Sequence, residues 1–459
     1  MRLRQLRKCC ALALFVVTTV AFVSTAYWMY SHDQNAAEKK TLFDNDDTRK
    51  RELALKYGAN NEPPAAARRF GEKWLQHQID PNATASPDKQ IGSDDVFGGF
   101  PNYNVHIFYY PWYGSPTFDG MWLHWNHPYL PHWDKVRAKN WPEGSHKPPD
   151  DVGASFYPAL GPYSCRDPDV LNQHMKWIRS CNVGVVVVSW YPPGMCDGDY
   201  SKPWDDMIPL VLDAANKHDL KVTFHIESYK DRSVENLRTN LEYLMKTHGT
   251  HPAFYRRKRR SELETSVDKP LFYIYDSYLI KPDSWRQLLS TSGKLSVRGT
   301  PLDAHYLGLF VGGNDRKTLL TSGFDGFYTY FGADGFSSGS SARNWPSLRQ
   351  YAKQNKLLFS VSVAPGYDDV RVRPWNAVNS RARQDGKYYA DHWQAAVDSR
   401  PDIVSITSFN EWHEGTQIEP AVAKESSDGY TYHNYEPHDR YWYLNVTTNW
   451  VHKFSNVPI

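Results

Sequence analysis

The feature that most constrains this chain is an eightfold alternation between residues 105 and 411. Apolar, β-branched and aromatic runs read as strands at 105–113, 184–191, 221–228 and 270–277. Four more follow at 304–311, 323–331, 357–366 and 402–411. Amphipathic stretches lie between them. Val170–Cys181 carries Leu171, Met175 and Ile178 on one helical stripe, and Met207–His218 carries Ile208, Leu212 and Ala215. Asp167-Pro168 and Lys281-Pro282-Asp283 look like helix starts. Strands alternating with helices imply a parallel sheet covered by helices, and eight of them point to a closed (β/α)₈ barrel of the α/β class. An open doubly wound sheet is the alternative. No GxGxxG follows the first strand, which removes its dinucleotide-binding form.

A barrel of this kind takes ~250 to 400 residues, so the chain of 459 has an extension to account for. Residues 1–8 include Arg2, Arg4, Arg7 and Lys8, and the stretch from Cys9 to Tyr30 has no charge. As a helix those twenty-two residues would run ~33 Å, enough for a bilayer. The expectation is a cytoplasmic tail (1–8), a transmembrane signal anchor (9–30), a polar lumenal stem (31–100) and a catalytic domain (101–459). A cleaved signal peptide is the competing reading, but its apolar core usually spans only ~7–15 residues. Cys165, Cys181 and Cys196 follow the anchor, so one disulfide at most can form among them. Asn82 and Asn445 stand in glycosylation acceptor triplets.

Net charge is +2, from 53 basic and 51 acidic side chains, which gives no reason to expect a nucleic-acid partner. Aromatic residues make up 15% of the chain, with seventeen Trp and thirty Tyr. Flat apolar faces with polar edges suit stacking on sugar rings, though a large core uses them too. Residues 114–166, after the first strand, are rich in Trp, His, Pro and Asp with little helical period. A loop of that length is usually functional, and in a barrel it would overhang the face that carries active sites. The basic run Arg256–Arg260 reads as part of a solvated insertion.

The strongest chemical signal is Ser408-Phe409-Asn410-Glu411-Trp412-His413-Glu414 at the end of the last strand. Two carboxylates on one loop at a barrel rim can flank a glycosidic bond, provided that burial or mutual charge keeps one protonated. Two solvated loop glutamates would be the ordinary outcome of such spacing, but Asn410, Trp412 and His413 around them favour a site. His225 and Glu227 share a strand face and would point into the barrel mouth. Tyr110, Trp112 and Tyr191 reach the same rim, and with Trp412 they are candidate sugar contacts.

The strings FYYPWYG, DVGASFYPALGPYS, VVVVSWYPPG, FHIES, FYIYDSYL, FDGFYTYF, RPWN and ITSFNEWHEGTQIEP run in order through residues 103–455. Together they resemble the endo-α-1,2-mannosidases of glycoside hydrolase family 99. The resemblance implies a (β/α)₈ barrel and a retaining, metal-free endo-cleavage, with no cofactor. It also implies a type II Golgi membrane protein, whose lumenal domain releases Glcα1,3Man or longer glucosylated fragments from high-mannose N-glycans. Glu414 would be the general acid and then the base for water. Glu411 would be a base on the 2-hydroxyl of the sugar being cleaved, giving a 1,2-anhydro sugar; direct carboxylate attack is the usual retaining alternative. His225, Glu227, Tyr110, Trp112 and Tyr330 would hold the sugar at the cleavage point, and Tyr191 the next one out. Ser228 departs from the proline expected after Glu227.

Three other readings compete. Asp197-Gly198-Asp199 has the spacing of a metal-binding glycosyltransferase motif, which is weak evidence at three residues. His124, His127 and His132 could bind zinc as a metallohydrolase would. A non-catalytic glycan-binding barrel is the third.

Overall fold

A computed structural model describes residues 99–132, 134–198, 201–257 and 268–456. The chain divides into two units, Met1–Asp95 and Val96–Ile459, and the described residues belong to the second. Eight strands are Asn102–Tyr109 (β1), Val183–Trp190 (β2), Lys221–Ile226 (β3), Lys269–Ile274 (β4), His305–Leu309 (β5), Gly326–Tyr328 (β6), Leu358–Val363 (β7) and Ile403–Ile406 (β8). Each is followed by a helix: Pro168–Ser180 (α1), Ile208–Lys217 (α2), Val234–His248 (α3), Pro282–Leu289 (α4), Asp315–Ser322 (α5), Trp345–Gln354 (α6), Lys387–Ser399 (α7) and Trp442–Ser455 (α8). All eight strands pair in parallel with their sequence neighbours. β1 also pairs β8, with Val105 opposite Val404 and Ile107 opposite Ile406, which closes the ring. The (β/α)₈ barrel expected from the sequence is the architecture found.

The local reasons are legible. Every residue of β2 is buried, because helices cover its outside and side chains fill its inside, and the sequence answers with Val185–Val188. The Asp167 carboxylate accepts the Asp169 N–H ahead of α1, with Pro168 in the first turn. Ser233 and Asn236 form a capping box at the start of α3. Gly184 lies so close to β1 that a Cβ there would sit 2.6 Å from the Asn102 carbonyl. Inside the barrel the filling is partly polar. The Tyr273 hydroxyl donates to His106 Nδ1 at 2.8 Å, and Ser405 Oγ bonds Ser362 Oγ at 2.8 Å. Paired in this way, buried polar groups cost little.

Several expectations change. The strand assignments ran past the true C-terminal ends: β1 stops at Tyr109, β6 at Tyr328 and β8 at Ile406. The overrunning residues include Tyr110, Trp112, Tyr330 and Glu411, which keep a strand-like composition but turn off the ladder to form the rim. Segment 114–166 holds two four-residue helices, and Tyr157–Pro158 pairs antiparallel with Ala421–Val422. The basic insertion is not a plain loop where it is described. Arg256 and Arg257 pair antiparallel with Pro270 and Lys269; residues 258–267 lie outside the described residues. Cys165, Cys181 and Cys196 are all free thiols. Asn445 lies exposed on α8, and Asn82 is outside the described residues.

The membrane anchor, and the single-pass Golgi topology built on it, are corrected. No helix among the described residues is long and apolar enough to cross a membrane. Residues 1–30 and the stem to residue 98 lie outside the described residues.

Gly184→Ala should cost about 1–3 kcal/mol of stability, since the new methyl meets backbone that cannot yield. Chemical unfolding checks this; an unchanged midpoint would mean that β1 and β2 are not held at this separation.

Candidate active site

The two glutamates sit on the segment that leaves β8, and four local devices shape it. The Ser408 N–H donates to the Thr416 carbonyl at 2.9 Å, and Ser408 Oγ bonds Thr416 Oγ1 at 2.9 Å, closing the loop at its base. The Glu411 N–H donates to Ser408 Oγ at 2.8 Å. The Asn410 side chain acts as a substitute strand: its Oδ1 accepts the Tyr110 N–H at 2.8 Å and its Nδ2 donates to the Tyr110 carbonyl at 2.9 Å. Gly415 takes φ +59°, and a Cβ there would come within 2.8 Å of the Asp368 carbonyl oxygen. That close approach lets the Asp368 N–H donate to the Glu414 carbonyl at 2.7 Å.

Both carboxyls are held above the usual carboxylate range. Glu411 is only 4% exposed and accepts one backbone N–H, that of His413, at 3.1 Å. Its carboxyl is raised well above normal by burial and then by the charge of Glu414. The Glu414 side chain is 22% exposed and 3.6 Å from the Arg373 guanidinium. Burial pushes it up to about 7 against the lowering pull of Arg373. Both therefore hold a proton more tightly than a solvated carboxyl does, as the acid of an acid/base pair must.

Around them the rim residues converge. The hydroxyls of Tyr110 and Tyr330 bond each other, and the charges of Glu411, Glu227 and Glu414 all bear on Tyr110. His225 Nε2 accepts from the Tyr328 hydroxyl at 2.8 Å, and its Nδ1 faces Glu227 Oε1 at 3.2 Å. Ser189 Oγ donates to the same Glu227 oxygen at 2.7 Å, which fixes that carboxylate at the ends of β2 and β3. The His225 ring stacks at 5.3 Å on Tyr330. Trp112 stacks at 4.5 Å on His124, and Tyr191 meets Trp204 edge-on at 5.2 Å.

Trp412 is placed differently from the expected sugar contact. It is 0% exposed, and its indole N–H donates to Glu419 Oε2 at 3.0 Å beneath the loop. It anchors the segment that carries the glutamates. The three histidines of 124–132 do not converge on one point. His124 Nε2 bonds Ser201 Oγ at 2.9 Å, His127 Nδ1 donates to its neighbour Pro128 O at 2.7 Å, and His132 Nδ1 accepts the Asp134 N–H at 3.0 Å. No group of three or more metal-ligating side chains is found among the described residues. Asp197 contributes charge at Glu411, and Asp199 lies outside the described residues.

The sequence reading missed the Arg373 system. Asp369, fully buried, accepts from Arg373 at 3.2 Å, the Tyr367 hydroxyl at 2.9 Å and Asn376 at 2.8 Å, and so aims the guanidinium at Glu414. The string RPWN contains Arg373 and Asn376, but nothing in it marks a partner forty residues away.

Residues 101–456 match glycosyl hydrolase family 99. Among curated relatives, a glycoprotein endo-alpha-1,2-mannosidase from Xenopus laevis is 52% identical over 354 residues, spanning 77% of this chain and 78% of the relative. A glycoprotein endo-alpha-1,2-mannosidase-like protein from Homo sapiens is 48% identical over 351 residues, 76% of each chain. Of solved structures, a GH99 endo-alpha-mannosidase from Bacteroides thetaiotaomicron superposes with a TM-score of 0.71 at 42% identity, covering 78% of this chain and 99% of that one.

Because Arg373 pulls the Glu414 carboxyl down, Arg373→Gln should make it titrate above about 7. A ¹³C NMR titration of labelled glutamate checks this; a value at or below the unmodified protein's would show that the guanidinium does not act on Glu414.

Proposed function

The chain belongs to glycosyl hydrolase family 99, and from that premise we propose how its site carries out the reaction. It is an endo-acting α-1,2-mannosidase of high-mannose and glucosylated N-glycans. The observation that carries our assignment is the difference between the two glutamates: one deeply buried with a single N–H donor, the other partly exposed beside a fixed guanidinium.

Glu414 is the general acid. Holding its proton up to about 7, it delivers that proton to the departing glycosidic oxygen. Arg373 then steadies the carboxylate left behind. Glu411 takes the proton from the 2-hydroxyl of the mannose being cleaved. The freed O2 bonds to C1 as the C1–O bond to the leaving glycan breaks, giving a 1,2-anhydro sugar. Water next attacks C1 and loses its proton to Glu414, while the C1–O2 bond breaks and Glu411 returns its proton to O2. Two displacements at C1 leave the anomeric configuration retained. In the free protein, burial favours the proton on Glu411. A 2-hydroxyl bound against that carboxylate donates a hydrogen bond to its charged form and moves the proton to Glu414. A carboxyl lifted this far suits a group that must accept and keep a proton through an intermediate better than it suits a direct nucleophile.

Tyr110, Trp112, Tyr330, His225 and Glu227 hold the mannose at the cleavage point, and Tyr191 meets the next sugar out. Their mutual hydrogen bonds fix the geometry before substrate arrives, which is where preorganised sites gain rate. The fragment released is a Glcα1,3Man disaccharide or a longer glucosylated piece.

On a glucose-capped high-mannose glycan the protein should release an intact disaccharide or larger fragment, and Glu414→Gln should lower kcat by ~10²–10⁴. Release of single mannose, or full activity in the variant, overturns the assignment. Since the working form needs Glu414 protonated, the rate should fall as pH rises through about 7.

A further inference from the structure

His413 stands between the two glutamates in the chain, and its backbone N–H donates to the first of them, Glu411, at 3.1 Å. Its side chain is 5% exposed, which leaves no face for a sugar. The ring Nδ1 donates to the Gly153 carbonyl at 2.7 Å, reaching across to the segment that follows β1. Burial, then the nearby His127 and His124, hold the imidazole neutral, and Arg373 acts in the same direction. With the single ring proton committed to Gly153, Nε2 carries none, and it has no hydrogen-bond partner. The ring therefore passes no proton to either glutamate.

It holds its own backbone in place instead. The ring centroid lies 4.5 Å from that of His127, 5.6 Å from that of Tyr113 and 5.7 Å from that of His124. Gly153 belongs to the same packing. A Cβ there would come 2.9 Å from the His127 Cβ, so a glycine is what brings this carbonyl near enough to reach. The carbonyl is fixed in turn, because the Gly153 N–H donates to the Trp125 carbonyl at 2.9 Å. The peptide on the other flank is pinned as well, with the Trp412 N–H donating to the Tyr113 hydroxyl at 3.1 Å. Between these two attachments lies the His413 N–H, and its hydrogen bond favours the charged form of Glu411.

We propose that His413 is a positioning residue: by binding Gly153 it fixes the N–H that holds Glu411 ready to accept a proton. The segment 114–166 thereby acts on the base through one side chain. The inference rests on the reading of Glu411 as the base. A carboxylate displaced by ~1 Å from the 2-hydroxyl can cost about 10²-fold in rate. The sugar contacts at Tyr110, Tyr330, His225 and Glu227 do not pass through His413, so binding is spared.

The test compares His413→Leu with His413→Asn on a glucose-capped high-mannose glycan. Leucine fills the space without a donor, whereas the asparagine amide puts an N–H near the place of Nδ1. His413→Leu should lower kcat by about 10²-fold and leave KM unchanged. In a ¹³C NMR titration its Glu411 carboxyl should titrate higher than in the unmodified protein, because the charged form has lost its donor. His413→Asn should restore most of kcat and bring the Glu411 titration back. Equal losses in the two variants, a change confined to KM, or an unmoved Glu411 titration overturns the proposal. An unchanged KM also shows that the leucine variant folds. Should it not fold, the asparagine variant decides alone: near-normal kcat supports the positioning role, and a loss as large as that expected of leucine overturns it. Glu411→Gln is the control. Normal turnover there would sink the reading of Glu411 as the base, a failure distinct from one confined to the His413 variants.

Discussion

Closing a parallel sheet forces its first and last strands together, and this molecule's chemistry is built on that seam. Val105, His106 and Ile107 lie in register with Val404, Ser405 and Ile406. Past the last ladder bond the Asn410 amide continues the pairing with both backbone groups of Tyr110. The loop that bears Glu411 and Glu414 is therefore registered against the loop that bears Tyr110 and Trp112, although three hundred residues separate them. Without the seam, the glutamates would hang on a free loop in water, and nothing would raise their pKa values.

The seam is also why the polar groups beneath the site are tolerable. Glu419 and His174 are fully buried and face each other at 3.2 Å. Glu419 further accepts the Tyr163 hydroxyl at 2.8 Å and the Trp412 indole at 3.0 Å. Removing one member of such a set strands the others away from water, which costs more than the bond itself. The catalytic loop is thus held from below by the buried Glu419 contacts and from the side by Arg373 and Asp369. Rigidity from two directions suits a site whose carboxyls must keep a small separation without relaxing into solvent.

The periodicities that reveal a barrel are properties of single segments, and all eight strands could be placed from them. Glu411 and Glu414 were visible because acidic residues abruptly end an apolar run. Arg373 was invisible for the opposite reason: its role comes from Asp369, Tyr367 and Glu414, which converge only in space. Trp412 shows a further limit. A tryptophan beside two acids looks like a stacking platform, but alternation along an irregular loop does not say which face is wet, and burial under Glu419 made it an anchor. The membrane expectation failed differently, because it rested on a stretch that has no counterpart among the described residues.

Endo-cleavage makes a demand on this geometry that exo-cleavage does not: the groove must continue on both sides of the cut. In our reading the non-reducing side begins at Tyr191, which lies half-buried against Trp204 rather than sealing a pocket. Aromatic faces of that kind hold a further sugar by dispersion and leave its hydroxyls in contact with water. On the acid side Arg373 reaches Glu414, held in place by the buried Asp369 carboxylate, which also accepts the Tyr367 hydroxyl. The two sides thus do different work: the aromatic one binds, and the charged one controls a proton. An enzyme that removes a capped fragment whole needs that division, because the fragment must be gripped while the departing glycan takes up its proton and leaves.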